Sequence, residues 1–149
     1  CSTGSVDQAN PILENPRMVD DTWRTRFREP LAAAMEGVLN DRVAPSSPLA
    51  EAIYAIFDRA DFSMETKNRR IVIVSDLIQN SEHFNFYRTG ADFEAFKATT
   101  LGGQIIRIDD VDVVARIVPR QRYDLPLAEV KAFWGAYFKE ANANFSSVN

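Results

Sequence analysis

Ile71-Val72-Ile73-Val74-Ser75-Asp76 is the stretch whose reading decides the fold. Four β-branched residues in a row, with no polar residue alternating between them, describe a strand covered on both faces, as in a parallel sheet lined by helices. The apolar run stops at Ser75. The carboxylate of Asp76 therefore falls at the carboxyl end of a predicted central strand.

Upstream of that strand, Ser47 followed by Pro48 predicts a helix start. The hydroxyl can accept from an orphan amide, and proline at the first helical position gives up no hydrogen bond. Leu49, Ile53, Ile56, Phe57 and Ala60 then recur at helical spacing. Earlier still, Trp23, Phe27, Leu31, Met35, Val38 and Leu39 share one face, which predicts a buried helix from Asp21, kinked or restarted at Pro30. Residues 42–47 read as a loop. Residues 1–20 carry scattered apolar side chains with no period and read as an extended lead-in.

Downstream, Asp92 or a neighbour is expected to open a short helix bearing Phe93, Phe96 and Leu101, with Gly102-Gly103 as its stop. A second strand is expected within residues 111–118. Leu127, Val130, Phe133, Trp134, Tyr137, Phe138 and Ala141 form an apolar stripe that packs a last helix on the core, so Trp134, Phe138 and Trp23 receive no cofactor role. The polar residues from Asn142 onward are expected to fray. The expected organisation is a lead-in at 1–20, an α/β domain at 21–141 and a tail at 142–149.

Alternation of helices and strands in this order requires crossover connections, which predicts a Rossmann-like, mostly parallel sheet with helices on both faces. Two clear strands are few for four helices. The chain is therefore expected to be the C-terminal portion of a longer domain, with a missing N-terminal segment of the same protein completing the sheet.

Composition narrows the function classes. The 149 residues are 46% hydrophobic and 26% charged, ordinary for a globular chain. Seventeen basic against twenty-one acidic residues give a net charge of -4, which lacks the electrostatic footprint of a nucleic-acid binder. No apolar run is long enough for a membrane span, and no signal peptide is recognisable. A single cysteine excludes an intrachain disulfide. Its position as Cys1 marks a processed or truncated start, either a proteolytic fragment or the lipid-bearing cysteine of a mature bacterial lipoprotein. The lone cysteine permits a reducing compartment and so a cytoplasmic setting, whereas a lipoprotein Cys1 would imply an anchored envelope protein.

In open parallel sheets ligands bind beyond the carboxyl ends of the strands. Asp76 stands there with Gln79, Asn80, Ser81 and His83, and the helix start at Ser46 and Ser47 is expected on the same edge. A serine hydroxyl and a carboxylate are hard oxygen ligands that suit Mg²⁺, although one carboxylate is a meagre set for six positions. The other reading keeps Ser47 as a helix cap and Asp76 as a loop-fixing residue.

The segments Ser47-Pro48-Leu49-Ala50-Glu51-Ala52-Ile53 and Ile71-Val72-Ile73-Val74-Ser75-Asp76 resemble, respectively, the threonine-bearing helix start and the aspartate-ending strand of von Willebrand factor A domains. Phe133-Trp134-Gly135-Ala136-Tyr137-Phe138 and the start Cys1-Ser2-Thr3-Gly4 are similar to an uncharacterised bacterial branch of that family. The resemblance covers most of residues 1–141. It implies that Asp76 belongs to a magnesium-dependent adhesion site, that Ser47 stands where the family has threonine, and that the partner is a protein. The family's first strand supplies Asp-x-Ser-x-Ser, and this chain has none; Asp61-Phe62-Ser63-Met64-Glu65 follows a helix and is a decoy.

Other constellations are weaker. His83 with Asp76 and a serine would suit a hydrolase, yet no strand-to-helix nucleophile elbow is present. Asp109, Asp110 and Asp112 lack calcium-loop spacing and read as a turn before a strand. Arg116, Arg120 and Arg122 alternate along and past the second strand and read as a solvated face. The functional expectation is a noncatalytic interaction module; the alternatives are a metal-independent assembly component acting through its helices and exposed sheet edge, and a hydrolase.

Overall fold

The computed structural model describes residues 16–40, 46–59, 62, 68–118 and 125–148. The lead-in as far as residue 15, the decoy residues Asp61 and Ser63 to Glu65, and Arg120 and Arg122 lie outside the described residues. The chain divides into two compact units, Cys1–Ala44 and Pro45–Asn149.

In the first unit, helix α1 (Pro16–Trp23) runs through a π turn (Arg24–Arg28) into α2 (Glu29–Asn40). Pro30 accounts for the irregularity. It has no amide hydrogen to give the Arg26 carbonyl, and the Glu29 amide bonds instead to the Arg24 carbonyl, five residues back. Two expectations change here. Residues 16–20 are helical rather than extended, because proline at the first helical position is pre-set for the turn. The helix expected to be buried leaves Phe27 and Leu31 almost half exposed, since apolar spacing reports a face and not what covers it.

The second unit begins its regular structure with α3 (Leu49–Phe57), followed by strand β1 (Arg69–Ser75). Short helices α4 (Phe86–Thr89) and α5 (Phe93–Lys97) and a 3₁₀ turn (Gly102–Gln104) lead to β2 (Val111–Ile117). Helix α6 (Leu127–Glu140) leads to β3 (Asn144–Val148). The sheet is wholly parallel in the order β1-β2-β3, with Ile73 beside Ala115 and Ala115 beside Ser147. As the 71–76 run indicated, this is a mixed α/β fold.

The helices of this unit gather on one face, where two had been expected. Ile71, Ile73, Val111, Val113, Ala115 and Ile117 point into a core shared with α3, α5 and α6. Val72 and Val74, from the same β-branched run, are 57% and 59% exposed on the other face. Topology gives the reason. Both crossovers step in the same direction along the sheet, and two connections of one hand that step the same way lie on the same side.

Helix α6 holds the core. Val130, Phe133, Trp134, Tyr137 and Phe138 are all buried. Phe133 meets Phe86 edge-on at 4.7 Å, and Phe138 stacks on Phe145 of β3 at 5.0 Å. Burying one large apolar side chain contributes roughly 1.5–3 kcal/mol, so this stripe outweighs the exposed ion pairs, each worth about 1 kcal/mol or less.

The tail expected to fray is strand β3. Asn142 adopts a left-handed φ of 60° after α6, its amide bonds to the Lys139 carbonyl, and the Ala143 amide bonds to Phe138. That pair of bonds is a Schellman turn, which points residues 144–148 back along the sheet. Asn68 and Asp110 take the same left-handed conformation immediately before β1 and β2. The acidic cluster is thereby structural. Asp109 accepts from Asn142 and from Arg107, and these bonds hold its carboxyl below the usual range. Asp112 accepts from Arg70 and Asn144 with the same effect.

Two measurements test this packing. A Cβ on Gly102 would stand 2.0 Å from the Phe96 carbonyl oxygen, whereas one on Gly103 meets nothing nearer than 3.8 Å. Urea denaturation of Gly102→Ala is expected to show a loss of about 2 kcal/mol or more, and Gly103→Ala a change within about 1 kcal/mol. Burial pushes the Tyr137 phenol well above its usual range. The unfolded chain releases that proton first, so stability holds below about pH 10 and falls as the pH rises past it. Tyr137→Phe should flatten that alkaline decline in urea midpoints.

Candidate functional site

The site grows out of the end of β1. Ser75 Oγ accepts from the Leu77 amide at 3.0 Å, and Asp76 Oδ1 accepts from the Ile78 amide at 3.0 Å, so each side chain turns the backbone two residues on. Between them Leu77 takes a φ of 63°, a conformation disfavoured for a bulky residue. Trp134 of α6 holds it there by donating Nε1–H to the Leu77 carbonyl at 2.8 Å inside the core.

The turn delivers Gln79, which is fully buried. Its Oε1 accepts from the Ala50 amide at 2.9 Å. Its Nε2 donates to Glu51 Oε2 at 2.9 Å and to Ser81 Oγ at 3.0 Å. Gln79 thus caps α3 from 29 residues away. Ser47 does not perform that cap, and Pro48 stands one residue before the helix rather than in its first turn. Gln79, expected to meet a partner, shapes the site from inside instead. Glu51 Oε1 is buried without a hydrogen-bond partner among the described residues.

Ser47 joins the site through its backbone. Its amide donates to the Asn80 carbonyl at 2.7 Å, and the Asn80 amide returns a bond to the Ser47 carbonyl at 2.9 Å. The start of α3 and the exit of β1 therefore share one rim. Asn80 also accepts from Asn85 Nδ2 at 2.7 Å, while Asn85 Oδ1 caps α4 at the Tyr87 amide. The Ser81 amide bonds to the Phe84 carbonyl at 3.0 Å and the Phe86 amide to the Gln79 carbonyl at 2.9 Å. Residues 80–85 are closed into a small loop, with Phe84 buried beneath it and Glu82 and His83 exposed at its tip.

As a cation centre the rim is incomplete. Asp76 Oδ1 holds the Ile78 amide and lies 3.4 Å from Ser75 Oγ. Among the described residues no three His, Cys, Asp or Glu side chains come together in a metal-ligating group. Mg²⁺ usually keeps several waters and is held through one or two carboxylates, of which this rim supplies one, Asp76, already bonded to the Ile78 amide. What the arrangement offers is a stiff, hydrogen-bonded loop with polar groups outward.

Gln79 as a cap is what sequence reading missed. Its only signal is a glutamine in an otherwise apolar stretch, Leu77-Ile78-Gln79, which marks a buried amide that must find partners. Comparison with protein-family models, with curated proteins and with solved structures finds no match.

The cap is testable. Gln79→Leu keeps the volume but leaves the Ala50 amide and a Glu51 oxygen without their partner, and is expected to lower the unfolding free energy by about 2–3 kcal/mol in urea. A loss below about 0.5 kcal/mol would contradict the cap.

Proposed function

We propose that the chain is a noncatalytic protein-interaction module of von Willebrand A type, which presents the rim of Ser47, Asp76, Asn80, Ser81 and His83 to a protein partner. One observation carries this reading: the loop at 80–85 is closed by its own hydrogen bonds and seated on a buried phenylalanine, with Glu82 and His83 outward. A loop already fixed in one conformation loses little freedom on binding. It stands where parallel sheets collect their ligands, beyond the carboxyl end of a strand.

The finer fold reading has support of its own. Three successive parallel strands with their crossovers on one face correspond to one half of a doubly wound sheet. The rim acts here without a resident cation, because its one carboxylate is engaged in the β1 exit turn. The hydrolase alternative has less behind it, since His83 stands exposed at the loop tip.

Affinity capture with the intact chain tests the module. Glu82→Lys/His83→Ala alters the tip, and Lys139→Glu alters the exposed end of α6. A protein held by the wild type and by Lys139→Glu, with or without a chelator, should be lost with the tip variant. Capture indifferent to the tip would contradict the proposal. Calorimetric titration with Mg²⁺ should give the same weak response for the wild type and for Asp76→Asn, which keeps the Oδ1 acceptor; binding abolished by that substitution would restore the metal site.

A further inference from the structure

We draw no further inference here: the strongest candidate, the outer face of the sheet that Val72 and Val74 of β1 leave open, carries nothing because nothing in the structure shows what covers it.

Discussion

The second unit depends on one buried amide. Gln79 is the point at which the N-terminus of α3, the exit from β1 and the loop at 80–85 are tied together. A carboxamide enclosed by protein must place both its oxygen and its nitrogen against partners, and each failure costs a desolvated polar group. The position of the helix and the shape of the loop are therefore not independent. When Gln79 Oε1 receives the Ala50 amide, Nε2 is aimed at Glu51 and Ser81, and the backbone on either side is fixed.

A second constraint brings the amide to that place. The left-handed Leu77 reverses the chain within one residue of the strand end, and the indole of Trp134 occupies the carbonyl that this reversal turns inward. Strain of this kind persists where the surroundings over-determine it. The surroundings here are the aromatic packing of α6, in which Trp134 lies 5.2 Å from Phe133 and 5.3 Å from Tyr137. The helix that contributes most to the core thus also sets the geometry of the rim.

Much of this was legible in the residues. The 71–76 run, the strand within 111–118, the stripe from Leu127 to Ala141 and the short helix opening at or beside Asp92 all depend on neighbours in sequence, and the structure has each of them. The differences arise where a distant residue or a single backbone angle decides. The cap of α3 comes from residue 79, beyond the reach of any local pattern. Strand β3 follows from the left-handed Asn142, and its polar sequence suits an edge strand whose inward side chains are only Phe145 and Ser147. Periodicity identified the apolar faces of β1 and of the first-unit helix but carried no information about which of them is covered.

The claim at the centre of the account is that the rim is as firmly held as the sheet beneath it. Amide hydrogen exchange by nuclear magnetic resonance tests it residue by residue. The amides of Ser47, Ala50, Ile78 and Asn80 are expected to exchange as slowly as those of Val113 and Ala115 in β2, opening only with global unfolding. Exchange of those four amides near the rate of an unstructured chain, with β2 still protected, would show a loop that is not built by Gln79 and would contradict the account.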